Sequence, residues 1–164
     1  MDTFKKTESE IRPALTSLSD EEQMFREAVR DFSTSEIAPL VSQMDRSQEL
    51  DVGLLPQLFE LGLMGIEIPE EFGGAGSSFF TSVLVVEEMS RTDPSVATLV
   101  DVQNTLVNNG ILRWGTDEQR DHYLPRLASD WVGAYALSEA NSGSDAFALG
   151  TRAESKNGIT STSL

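Results

Sequence analysis

Residues 135–145 read Tyr135-Ala136-Leu137-Ser138-Glu139-Ala140-Asn141-Ser142-Gly143-Ser144-Asp145. A short apolar run leads into hydroxyls, a glycine and other small side chains. Such a loop lets backbone N–H groups come close to a ligand, and those groups and hydroxyls suit carbonyl or phosphate oxygens. The same composition also makes plain turns, so taken alone it specifies no ligand. Glu87-Glu88 offers two carboxylates for acid/base work. Neighbouring helical positions diverge by about 100°, so both cannot face one substrate. One solvated and one structural carboxylate is the expectation. His122 is the single histidine of the chain. That excludes a multi-histidine metal site and argues against a histidine triad; a surface helix position is expected. With no cysteine, a disulfide, a thiolate nucleophile and a Cys-ligated zinc are excluded. No metal site is expected. Met24, Met44, Met64 and Met89 read as core filler.

These residues must be carried by a largely helical chain. Residues 1–18 are a polar arm. Ser19 with Glu22 forms a capping box, and Phe25, Ala28, Val29 and Phe32 follow at helical spacing, then Ile37, Leu40, Val41 and Met44. Pro39 should kink or split this helix near Ala38. A short helix should begin near Leu55 and stop at Gly62. The glycines and proline of Pro69-Glu70-Glu71-Phe72-Gly73-Gly74-Ala75-Gly76 mark a turn. A third helix is expected over residues 79–91, with Val83, Val86 and Met89 on one side. Asp93-Pro94 opens a fourth, which carries Val96, Val100, Leu106 and Val107 and ends before Gly115. Thr116 with Gln119 opens a fifth, which should stop near Pro125. Residues 131–137 and 147–153 are strand candidates around a loop at 141–145.

The 164 residues suit one domain, or one and a piece of another. Hydrophobic residues make up 39%, enough for a buried core. The formal charge is -15. That disfavours nucleic acid and anionic membrane surfaces as partners, since both need clustered Lys and Arg. No window is apolar enough to span a bilayer. The first residues have neither the apolar stretch of a secretory signal nor the acid-poor look of an import presequence.

Three motifs in order resemble the acyl-CoA dehydrogenase family. Ser138-Glu139 and Gly143-Ser144-Asp145 match its flavin signature. Pro69-Glu70-Glu71-Phe72-Gly73-Gly74 looks like its Pro-Glu-Glu-Tyr/Phe-Gly-Gly turn. Gly115-Thr116-Asp117-Glu118-Gln119 with Tyr123-Leu124-Pro125 resembles the start of its last helix before the β domain. The likeness covers residues 18–154. Residues 83–88, 103–106 and 147–153 look closest to the short/branched-chain subfamily.

The resemblance implies a mainly α fold: an all-α domain at 19–130, then the start of a middle β-barrel domain at 131–164. It implies FAD as cofactor and acyl-CoA as substrate. In the family a carboxylate takes the α-proton, a hydride passes from the β-carbon to the flavin, and a 2,3-enoyl-CoA results. Electrons then go to an electron-transfer flavoprotein. A homotetramer and a mitochondrial matrix location (cytoplasmic if not eukaryotic) are also implied. Tyr135, Ala136, Leu137, Ser138, Glu139, Ala140, Asn141, Ser142, Gly143 and Ser144 become the flavin segment. Ser138 supplies a hydroxyl to the flavin, and Ser144 lies where flavin pyrophosphate and acyl-CoA meet. The family's fourth helix borders the acyl pocket, so Gln103 and Thr105 either line it or pack the core. Glu139 is a recurrent acid but not the base.

After Glu154 the likeness stops. The tail from about residue 155 is Ser/Thr-rich, and no Trp-Ile-Ser/Thr segment follows. The expectation is a chain cut off before the catalytic glutamate, with no catalytic residue of its own. Two other readings remain: an acyl-CoA oxidase-like flavoenzyme, or a catalytically dead helical interaction module.

Overall fold

Ser19 begins the first helix with a reciprocal cap. Its hydroxyl accepts from the Glu22 N–H at 3.2 Å, and the Glu22 carboxylate accepts from the Ser19 N–H at 2.8 Å. The computed structural model describes residues 17–156 and 159–163, with side chains through Glu154. All but the last two residues of the polar arm at 1–18 lie outside the described residues.

Helix α1 spans Asp20–Phe32 and runs into a π-helical turn at Ser33–Ile37. Pro39 ends that run, as its missing N–H requires, and α2 (Val41–Ser47) follows. Helix α3 (Leu54–Glu60) stops before Gly62, whose φ of 70° only glycine adopts readily. The chain then crosses the core, burying Leu63, Met64, Ile66 and Ile68 to 1% exposure or less. The turn at 69–76 brings its backbone hard against this crossing. A Cβ at Gly74 would lie 2.1 Å from the Ile68 carbonyl oxygen.

Helix α4 spans Phe79–Ser90. Its buried side is Leu84, Val85, Glu88 and Met89, while Val83 is exposed. This corrects the expected Val83–Val86–Met89 stripe. The helix is apolar on most sides, so periodicity alone could not select its inner face. Asp93 caps α5 (Pro94–Asp101), accepting from Ser95 N at 2.7 Å and Val96 N at 3.2 Å. A π-helical segment, Val102–Asn108, joins α5 to α6 (Asn109–Trp114).

Helix α7 spans Asp117–Ser129 behind the Thr116–Gln119 capping box. It continues through Pro125, against the expectation that it would stop there. An interior proline costs a helix about 3 kcal/mol. Here burial of Leu124, Leu127 and Ala128 against Ile68 offsets that cost. The main core gathers α1, α3, α4, α5 and the crossing around Val29, Phe32, Leu58, Met64, Val85 and Met89. Met44, Met64 and Met89 are core residues, but Met24 is 68% exposed, a second correction.

The chain divides into two units, one ending at Gly133 and the other starting at Ala134. In the second, β1 (Arg152–Lys156) pairs antiparallel with β2 (Ile159–Ser163), Arg152 opposite Ser163 and Lys156 opposite Ile159. Neither expected strand forms as drawn. Residues 131–138 belong to no strand, and among the described residues nothing forms a ladder with them. Residues 146–148 make a 3-10 turn, so the strand expected at 147–153 begins at Arg152. Strand-forming side chains make a strand only where a partner offers a ladder. Among the described residues, no helix is long and apolar enough to cross a membrane.

Candidate functional site

The candidate segment begins where α7 ends. The Trp131 N–H donates to the Arg126 carbonyl at 2.8 Å, and Trp131 also lies beneath the Arg126 guanidinium, 4.8 Å from its ring centre. Gln103 then ties down the next residues from the π-helical segment. Its Nε2 donates to the carbonyls of Leu127 and Trp131, each at 3.0 Å, and its Oε1 accepts from the Gly133 N–H at 2.7 Å.

From Tyr135 to Ser138 the side chains are exposed and the backbone runs without regular structure. Among the described residues, no acceptor takes the N–H groups of Tyr135, Ala136, Leu137 or Ser138. Four successive donors and the exposed Ser138 hydroxyl thus remain available to a ligand that presents acceptors.

The loop that follows is closed on itself. Glu139 and Ser142 exchange backbone hydrogen bonds at 2.9 and 3.1 Å. The Glu139 carboxylate accepts from the N–H groups of Gly150 at 2.6 Å and Thr151 at 3.0 Å, and from the Thr151 hydroxyl. The Thr151 hydroxyl above all, then the Gly150 N–H, holds this carboxyl below its ordinary value. A carboxylate so occupied is a poor base. It is a clamp across residues 139–151. Ser142 is buried and its hydroxyl donates to the Asp145 carbonyl at 2.8 Å, so its side chain serves the loop. Ala140, Asn141, Gly143 and Ser144 are exposed. A Cβ at Gly143 would meet nothing within 4 Å. Packing within the chain therefore does not call for a glycine there, whereas close approach of a ligand would.

The segment fits the flavin group that the sequence resemblance implies. Backbone donors and small exposed residues are of the chemical kind that such a group, with its carbonyl and phosphate oxygens, would require.

Other sequence candidates resolve into structural roles. Glu87 is solvated and pairs with Arg91 at 3.2 Å. The Glu88 side chain is 2% exposed and joins α4 to α1 through Arg30, at 2.9 and 3.1 Å, with Arg26 and Arg91 nearby. The Arg30 hydrogen bonds lower the Glu88 carboxyl, against the opposing effect of burial. The Thr105 hydroxyl donates to the Asp101 carbonyl at 2.9 Å on its own helix. His122 lies on the surface of α7, with Nε2 2.9 Å from Arg126 Nη1. Among the described residues, no group of three His, Asp or Glu is placed to hold a metal.

Sequence reading missed a polar spine on the π-helical segment. Asn104 Oδ1 accepts from the Ile66 N–H at 2.9 Å, and its Nδ2 donates to the Leu63 carbonyl at 2.8 Å. Asn108 Nδ2 donates to the Met64 carbonyl at 2.8 Å. The available signal was Gln103, Asn104 and Asn108 continuing the buried side that Val96, Ala97 and Val100 begin.

The capped helices and the buried crossing between α3 and α4 have the character of an acyl-CoA dehydrogenase N-terminal domain. The family model for the acyl-CoA dehydrogenase N-terminal domain matches residues 19–130, and the chain belongs to that family. It is 49% identical over 150 residues to a probable short/branched chain specific acyl-CoA dehydrogenase of Dictyostelium discoideum, covering 92% of this chain and 36% of the relative. It is 46% identical over 142 residues to the mitochondrial short/branched chain specific acyl-CoA dehydrogenase of Bos taurus, covering 87% of this chain and 33% of that one. Among solved structures, butyryl-CoA dehydrogenase from Megasphaera elsdenii superposes with a TM-score of 0.82 at 30% identity, over 89% of this chain and 39% of the other. The chain thus spans about a third of the length of the curated relatives it matches.

Proposed function

We propose that this chain forms the helical domain and one flavin-facing wall of an FAD-dependent acyl-CoA dehydrogenase for short or 2-methyl-branched acyl-CoA. The product is the 2,3-enoyl-CoA. The observation that carries this reading is the run of backbone donors from Tyr135 to Ser138 without partners among the described residues, followed by a loop clamped by Glu139.

In this reading residues 1–18 are an arm, 19–130 the helical domain and 131–164 the start of the β domain. Bound FAD supplies the hydride acceptor. The backbone of Tyr135, Ala136, Leu137 and Ser138 binds and orients it, with the Ser138 hydroxyl adding a donor at the pyrimidine edge. Ala140, Asn141, Gly143 and Ser144 let flavin and acyl-CoA approach, and Ser144 serves both. Glu139 and Ser142 contribute backbone and hold the loop; the occupied Glu139 carboxylate leaves proton abstraction to a carboxylate outside these 164 residues. The other partners are an electron-transfer flavoprotein and three further copies in a homotetramer. The mitochondrial name of the bovine relative supports a matrix location.

The purified chain mixed with FAD should retain no stoichiometric flavin absorbance, because the remaining flavin contacts lie outside it. Stoichiometric flavin would overturn that division of labour. Residues 1–154 joined to the remainder of the Dictyostelium relative should dehydrogenate 2-methyl-branched short acyl-CoA. A folded, FAD-loaded chimera inert toward every acyl-CoA would sink the assignment.

A further inference from the structure

We propose that Gln103 is a positioning residue for the flavin segment, fixing the backbone from which Tyr135 to Ser138 extends. The proposal rests on the flavin reading of that segment.

Gln103 is fully buried. Its amide oxygen and both described donor contacts are directed at one short stretch of backbone: Leu127 O, Trp131 O and Gly133 N. It therefore does not line an acyl pocket. The three contacts fall at the last turn of α7 and at alternate residues just beyond it. The Leu127 contact satisfies a last-turn carbonyl of α7, while the contacts to Trp131 and Gly133, beyond the helix, set where the chain leaves it.

Two further features make the seat specific. The first is steric. A Cβ at Gly133 would lie 2.4 Å from Val107 Cγ1, so the Gly133 backbone sits directly on the π-helical segment. The second is the π-helix itself. Successive residues of an α-helix diverge by about 100°, yet Gln103 and Asn104 are both buried with hydrogen-bonded heads. The wider turn lets Asn104 serve the core crossing while Gln103 serves the segment after α7. π-Helical turns recur at functional sites for this kind of reason. The run of free donors starts two residues past Gly133, a reach of about 7 Å for extended chain. Loss of the Gln103 contacts frees the origin of that run and leaves its composition untouched.

The test uses the whole isotope-labelled chain, titrated with FAD and followed by amide NMR shifts. In the wild type, weak saturable shifts should concentrate at residues 135–144. Gln103→Met keeps volume and removes every hydrogen bond. It should weaken the FAD response about tenfold, with faster hydrogen exchange confined to residues 131–138. Gln103→Glu keeps the acceptor for Gly133 but loses the donors. Its response should be weak at neutral pH and recover in acid, as the buried carboxyl gains a proton and a donor; Gln103→Met should show no recovery. A wild-type FAD response in Gln103→Met, or exchange accelerated evenly across the helices, overturns the positioning role. Should Gln103→Met fail to fold, acid recovery in Gln103→Glu decides the matter. No FAD shifts in the wild type would overturn the positioning role in this chain; failure of the flavin reading itself is told apart by the chimera of residues 1–154, which loads FAD only if that reading holds.

Discussion

Asn104→Ala should be among the most damaging single changes in the helical unit. Asn104 is 1% exposed and serves two backbone groups of the core crossing, the Ile66 N–H at 2.9 Å and the Leu63 carbonyl at 2.8 Å. Neither group has another partner among the described residues. Alanine leaves both buried and unsatisfied, at about 1–3 kcal/mol each. The sum is about 3 kcal/mol, a large part of the 5–15 kcal/mol typical of a whole domain. With a urea slope of about 1.5 kcal/mol/M, the unfolding midpoint should fall by about 2 M. Asn109→Ala is the control: its Nδ2 reaches only the Glu67 carboxylate, at 3.3 Å, and its loss should cost under about 1 kcal/mol. Asn104→Asp keeps the acceptor for Ile66 and turns an oxygen toward the Leu63 carbonyl. It should be as unstable as the alanine variant at neutral pH and recover in acid, because burial raises its carboxyl and the protonated form donates. Urea titration with far-UV circular dichroism measures all three. A loss below about 1 kcal/mol for Asn104→Ala, or an equal loss for Asn109→Ala, would refute the argument that the π-helical asparagines carry the crossing.

Gly74→Ala should destabilise by about 3 kcal/mol, since its Cβ meets Ile68 O at 2.1 Å and Ile68 Cβ at 2.4 Å, whereas Gly143→Ala, in open space, should leave thermal stability unchanged. Glu88→Gln should cost about 2 kcal/mol at neutral pH by removing a charged acceptor from Arg30. The Glu88 carboxyl is lowered in the fold, so its contribution is present above the ordinary glutamate value and lost as pH falls through the lowered one. The stability gap between wild type and Glu88→Gln should therefore close in acid, and a gap constant with pH would contradict the ion pair. Glu139→Gln should speed hydrogen exchange at Gly150 and Thr151, the two amides its carboxylate holds, without altering the helices. The same two amides should stay protected on acidification until well below the ordinary glutamate value.

Local signals were legible wherever a backbone group is satisfied by a side chain three residues away. The Ser19–Glu22 and Thr116–Gln119 boxes and the Asp93-Pro94 start place three helices because a cap is short-range chemistry. The Pro39 break and the Gly62 stop are local for the same reason. Glu87 and Glu88 could be separated in advance by helical geometry alone. The loop proposed to face a flavin was legible as a string of residues, although the unpaired N–H groups before it were not.

Distance in sequence hid the rest. Pro125 stays helical because Leu124 and Leu127 find Ile68, more than fifty residues earlier. Residues 131–137 have strand composition but no ladder among the described residues, since strand formation belongs to a pair of segments rather than to one. Whether Gln103 faced substrate or core depended on two helix ends meeting. By itself the sequence determined the family and the helix starts, because these follow from short motifs and near neighbours. Only the tertiary structure decided that Glu139 is a clamp, that Glu88 is an anchor and that Gln103 holds the backbone after α7. Each of those roles is a hydrogen bond whose partner lies eleven to fifty-eight residues away, and no local pattern encodes such a partner.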